Sequence, residues 1–145
     1  MWTYEHRVET SASAAAIFAI LKDVDSWPEW NAGVERVELN GPFVAGTTGT
    51  MVVPGQDPLA FRLVWVDEAG GFEDETEIPG ADVVVRVRHS IERLGEGRTR
   101  ITYRATIDGL AADTVGPSIG PAITADFPEV MAALATRAEA EPAHR

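Results

Sequence analysis

The stretch IFAILKDVDSWPEW, residues 17–30, decides how the rest of the chain is read. A short amphipathic helix, an acidic turn and a second turn bearing two tryptophans break an otherwise continuous β pattern. Before this stretch, Trp2, Tyr4, His6 and Val8 alternate with Thr3, Glu5, Arg7 and Glu9, the period of a strand with one covered face. Ser11 or Ser13 is placed to cap the helix, which should run to about Asp23 with Ile17, Phe18 and Leu21 turned inward. Ser26 followed by Pro28 predicts a second short helix through Trp30.

Strands are expected after it near residues 34–39, 46–53, 59–67, 72–77, 81–94 and 98–108, separated by glycine and proline loops. The last segment places Ile119, Ile123, Phe127, Met131, Leu134 and Ala138 at helical spacing, with Pro128 inside the pattern. Proline removes a hydrogen bond and crowds the preceding turn, so a kink is expected near 124–128. The alternative is two helices, with Asp126 capping the second. The run GPSIGP, residues 116–121, lacks the flanks of a phosphate loop and reads as a hinge before that helix.

The fold class is therefore α+β: a seven-stranded curved antiparallel sheet, two short helices after strand 1, and a long C-terminal helix over the sheet. One helix cannot cover seven strands, so the sheet must curl and leave a hollow. Residues 1–141 form one domain on this reading and 142–145 a loose tail.

Composition bounds the function. The 145 residues are 45% apolar and 24% charged, the proportions of a soluble globular chain. A net charge of −11 disfavours nucleic acid and anionic membrane surfaces. The absence of cysteine excludes disulfides and thiolate chemistry. No basic leader and no membrane-length apolar run occur, so no membrane insertion is expected and a cytoplasmic location follows by default. Oligomeric state is not legible. No cofactor or metal is expected: His6, His89 and Asp74 would come from three strands without short ligand spacing, and His144 lies in the tail. A serine hydrolase would need a nucleophile elbow that the sequence lacks.

Hairpin arithmetic assigns side chains to faces. If Pro79-Gly80 is a two-residue turn, Thr76 faces Val83, Asp74 faces Val85, Phe72 faces Val87, and Glu73 faces Arg86 outside. With Gly95-Glu96-Gly97 as a three-residue loop, Ile91 faces Ile101, His89 faces Tyr103 and Val87 faces Ala105. A slip of one residue would invert one apolar face. The outer face is charged and solvated, although Arg88 opposite Arg104 is a like-charge pair without a sequence-level reason. The polar residues left on the covered face are Tyr4, His6, Asp74, Thr76, His89 and Tyr103. Burying each without a partner costs ~1–3 kcal/mol, so each needs a hydrogen bond, a water or a ligand. His89 and Tyr103, directly opposed, can satisfy each other, and His6 can reach the same patch from the first strand.

An ordered set of residues spans nearly the whole chain: Ala12, Ile17, Phe18, Leu21, Asp23, Trp27, Trp30, Val34, Val37-Glu38-Leu39, Gly46, Gly97-Arg98-Thr99-Arg100 and the closing helix. In this set the chain resembles the helix-grip (SRPBCC, START-like) superfamily of birch-pollen allergens, lipid-transfer domains and polyketide cyclase/dehydrase proteins. Ser13 departs from the proline common at that helix start. The resemblance implies a cavity between sheet and C-terminal helix for a small apolar, ring-containing ligand. Cyclisation or dehydration is its possible chemistry, with His89 as general acid/base, Tyr103 beside it and His6 and Asp74 in support. A non-catalytic carrier or sensor of a lipid or aromatic metabolite stays open. The expected ligand-facing residues are Tyr4, His6, Trp27, Trp30, Phe61, Trp65, Asp74, Thr76, Phe127 and Met131, although Trp27 and Trp30 can instead anchor the second helix.

Overall fold

The computed structural model describes residues 1–140; the expected tail and His144 lie outside the described residues. The order is β1 (Trp2–Thr10), α1 (Ala14–Lys22), a 3-10 turn (Val24–Ser26), α2 (Trp27–Trp30), β2 (Arg36–Leu39), β3 (Thr48–Val52), β4 (Leu59–Asp67), β5 (Gly71–Ile78), β6 (Val83–Gly95), β7 (Arg98–Asp108), α3 (Ala112–Thr124) and α4 (Phe127–Ala140). The strands form one seven-stranded sheet in the order β1-β7-β6-β5-β4-β3-β2, antiparallel at every neighbour.

Local chemistry fixes the helical interruption. Ser13 is the cap of α1, its hydroxyl accepting from the Ala16 N–H at 3.0 Å. Trp27 donates its indole N–H to the Leu21 carbonyl at 2.9 Å, and Trp30 donates to Ser26 Oγ at 3.4 Å. Both indoles are buried, so they tie α2 to the end of α1 and to the core.

The β6–β7 register is as expected, with His89 opposite Tyr103 and Ile91 opposite Ile101. The β5–β6 register is not. Residues 79–82 form a longer turn, with Gly80 and Asp82 at positive φ and the Ala81 N–H bonded to the Ile78 carbonyl. Thr76 therefore faces Val85, Asp74 faces Val87, Phe72 faces His89 and Glu73 faces Arg88. The shift is two residues, so no side chain changes face. It also resolves the like-charge pair: Arg88 is held by Glu73 at 2.8 Å and Arg104 by Glu5 at 3.5 Å.

The C-terminal helix is split at residues 125–126 into α3 and α4, the second of the two expected alternatives. The Asp126 carbonyl accepts from the Val130 N–H at 2.9 Å, which starts α4 and sets Pro128 in its first turn. Residues 116–121 are not a hinge before the helix; they are the middle of α3, with Pro117 and Pro121 inside it. Pro117 and Pro121 point to solvent while Gly116 and Gly120 lie buried against Trp2.

α3 packs on β1, β7 and β6, whereas α4 packs on β1, α1 and α2. Core residues around α1, α2 and α4 form one apolar cluster, and Val83, Val85, Ile107 and Ala112 form a second beneath α3. Met51, Asp74, Val87, Ile119 and Ile123 turn inward and remain only half-buried.

Candidate functional site in the concave face

Strand pairing brings four aromatic side chains into one row across the sheet: His6 on β1, Tyr103 on β7, His89 on β6 and Phe72 on β5. The Phe72 and His89 rings stack at 4.0 Å and 8°, and Tyr103 meets His89 edge-on at 4.4 Å. Phe127, at the start of α4, closes over this row 5.5 Å from Tyr103 and 6.0 Å from Tyr4. At the other end Trp27 stacks on Phe72 at 5.9 Å, and Phe43 meets the same ring at 5.1 Å. The wall from Trp27 to Tyr4 is thus a continuous chain of ring contacts.

The polar groups stand apart from one another. His89 and Tyr103 share no hydrogen bond; His89 turns its Nδ1 to the Phe72 carbonyl at 3.3 Å instead. Burial pushes the His89 imidazole down to about 3, so it is neutral near pH 7, and a proton on Nδ1 leaves Nε2 as the acceptor. Tyr103 is 4% exposed, and its hydroxyl has no hydrogen-bond partner among the described residues. No buried side-chain oxygen or nitrogen among them is left unsatisfied, so that hydroxyl keeps an opening to solvent inside the fold.

Two carboxylates act on this hydroxyl. Burial first, and then Asp74 and Asp126, hold its ionisation well above the usual phenol range. Asp74 is enclosed by protein yet retains open surface, as expected of a group facing an internal hollow. Burial, and secondarily the neighbouring Glu73, raise its carboxyl to about 7. Asp126 sits at the break between α3 and α4, where Gly33 makes room for it: a Cβ at Gly33 would lie 2.9 Å from Asp126 Oδ2. Its carboxyl is likewise raised by burial.

Of the expected site residues, Tyr4, His6, Asp74, Thr76, His89, Tyr103, Phe61, Phe127 and Met131 belong to this inward-facing interior. Trp27 and Trp30 bound it from the α2 side. Trp65 does not belong to it. A β-bulge at Val64 breaks the β4–β5 register, so Trp65 pairs with Glu73 on the outer face and Val66 takes the inward position beside Phe72. There the Arg88 guanidinium lies 4.2 Å over the indole. Alternation alone gave no sign of the bulge. Sequence reasoning also missed Phe43, in a loop without periodicity, and gave Asp126 only a capping role. Among the described residues no three His, Asp or Glu side chains converge as a metal site, and no helix is long and apolar enough to cross a membrane.

The sequence matches the family model described as polyketide cyclase / dehydrase and lipid transport over residues 1–139. No curated protein is a match. Among solved structures, Ara h 8.0201 superposes with a TM-score of 0.77 at 15% identity, covering 96% of this chain and 98% of that one. Norcoclaurine synthase from Thalictrum flavum, in complex with dopamine and hydroxybenzaldehyde, gives 0.75 at 17% identity over 98% of this chain and 88% of its own. The di-domain ARO/CYC protein BexL from the BE-7585A biosynthetic pathway gives 0.75 at 17%, covering 96% of this chain and 47% of that chain. At such identities these likenesses establish the helix-grip fold.

Proposed function

The chain belongs to the polyketide cyclase/dehydrase and lipid transport family, and from that premise we propose that it binds a small, largely apolar, ring-containing molecule between the concave sheet face and helices α3 and α4. The observation that carries this reading is the Tyr103 hydroxyl, deep in an aromatic enclosure and without a protein partner among the described residues. Flat rings on Phe72, His89, Tyr103, Phe127 and Tyr4 favour a flat ligand. The norcoclaurine synthase neighbour, with dopamine and hydroxybenzaldehyde, is a precedent in this fold for aromatic ligands.

If the site performs acid/base chemistry, Asp74 is favoured over His89 as the proton carrier, with Tyr103 a neutral hydrogen-bond donor to the ligand. A carboxyl near 7 can both give and take a proton at neutral pH, whereas an imidazole near 3 does neither well. His89 then orients the ligand through Nε2 and packs the wall. The second reading, a carrier or sensor without turnover, is supported by the same neutral, stacked His89. Native mass spectrometry of the purified protein identifies what the hollow retains. Turnover and binding of that ligand are then measured in Tyr103→Phe and Asp74→Asn. Turnover lost with binding kept supports chemistry at these residues; turnover unchanged in both variants removes Asp74 and Tyr103 from the chemistry, and turnover absent in the wild type leaves the carrier reading. A protein that retains and binds no apolar ligand would sink the proposal.

A further inference from the structure

We infer that the hollow selects its ligand by charge, accepting a protonated amine attached to the aromatic body and rejecting a carboxylate. The inference rests on the ligand-binding reading above and names the polar end of that ligand. Its basis is an imbalance. Asp74 lies on the concave face and Asp126 at the rim by Gly33, and neither forms an ion pair among the described residues. On the outer face, by contrast, most of the strand carboxylates are paired: Glu75 with Arg62 and Arg86, Glu73 with Arg88, Glu5 with Arg7 and Arg104. All of those arginines are on the convex side by strand parity.

Of the lysines and arginines of β1, β4, β5, β6 and β7, only Arg93 has the strand parity of Asp74, and it lies exposed at the far end of β6, opposite Thr99 and six residues beyond Val87. Among the described residues of these strands, the basic side chains nearest Asp74 on that face are His89, which is neutral, and half-buried His6 across Tyr103. The Tyr103 side chain supplies the independent sign of a ligand, being more than nine-tenths buried on the same face as Asp74, opposite His89, with a hydroxyl that has no hydrogen-bond partner among the described residues. A carboxylate ligand entering here meets two like charges with no counter-ion. An ammonium instead neutralises Asp74, is held by charge-assisted hydrogen bonds and lies against ring faces that favour cations.

Three probes of one shape test this: naphthylethylamine, naphthylethanol and naphthylacetic acid, titrated calorimetrically into the whole protein at about pH 8, where free Asp74 is ionised. The amine is expected to bind at least about tenfold tighter than the alcohol, and the acid at least about tenfold more weakly. In Asp74→Asn the amine-to-alcohol affinity ratio should shrink to less than about threefold, and Asp126→Asn should reduce that ratio in part. Equal affinities for all three probes, or an acid that binds best, overturn the charge inference and leave the apolar hollow intact. If none of the three binds, the hollow reading falls with it.

Discussion

Phe72 and His89 face each other across β5 and β6, their rings parallel at 4.0 Å while His89 Nδ1 lies 3.3 Å from the Phe72 carbonyl. One residue thus provides both the stacking partner and the hydrogen-bond acceptor of the buried histidine. Burial depresses His89 from 6.5 to about 3, so an unfolded chain takes up that proton first as the pH falls. Its contribution to stability is complete above 6.5 and is lost as the pH drops toward 3. His89→Phe keeps the ring and removes the titration. It is expected to lose about 1 kcal/mol at neutral pH, for the missing hydrogen bond, yet to exceed the wild type by about 2 kcal/mol near pH 4. Urea unfolding across this range checks it; parallel pH curves for the two proteins contradict it.

Asp74 has the opposite sign. Its carboxyl rises from 3.8 to about 7, so its contribution is complete below 3.8 and is lost as the pH climbs through 7. Asp74→Asn should match the wild type near pH 4 and exceed it by about 2 kcal/mol near pH 8, a figure reduced from the full linkage value because Asp74 keeps some solvent. Between about pH 4 and 6.5 the two titrations cancel in the wild type, so each single variant tilts that flat region in its own direction. Tilts in the same direction would refute one of the two assignments, the one whose expected direction is reversed.

The sequence carried the sheet, the helical interruption and the row of His6, Tyr103 and His89 because those depend on alternation, which any slip of two residues preserves. The β5–β6 turn was misjudged by two residues for that reason, and the faces survived. A bulge is different: one extra residue inverts everything beyond it, and Val64 looks like any strand valine. Asp126 was legible as a helix start but not as a rim carboxylate, since that depends on its meeting Gly33, a contact spanning the chain. Which histidine nitrogen finds which oxygen was never in the pattern.

The outward placement of Trp65 gives a discriminating test. Trp65→Ala removes the Arg88 contact on an exposed face and is expected to cost about 1 kcal/mol of stability. It should leave ligand affinity unchanged, whereas Trp27→Ala, which strips a ring from Phe72 and a hydrogen bond from the Leu21 carbonyl, costs about 3 kcal/mol and weakens binding. Equal losses of affinity in both variants would return Trp65 to the concave face.

Gly116 and Gly120 stand four residues apart on α3, and Trp2 lies flat against both. A Cβ at Gly120 would fall 2.6 Å from Trp2 Cε2 and Cζ2, and one at Gly116 would fall 2.6 Å from Trp2 Cβ. Helix propensity alone argues for alanine at either position, by about 1 kcal/mol. The clash argues the other way, at about 1–3 kcal/mol, because the half-buried indole lies against both glycines and must shift to make room. Gly120→Ala is therefore expected to destabilise by about 1–2 kcal/mol net. In a Trp2→Ala background the clash is gone and the same substitution should be neutral or stabilising, by up to about 1 kcal/mol. A double-mutant cycle by urea unfolding measures the difference. A Gly120→Ala variant that stabilises the wild-type background as much as the Trp2→Ala one would mean that α3 does not rest on Trp2 in solution.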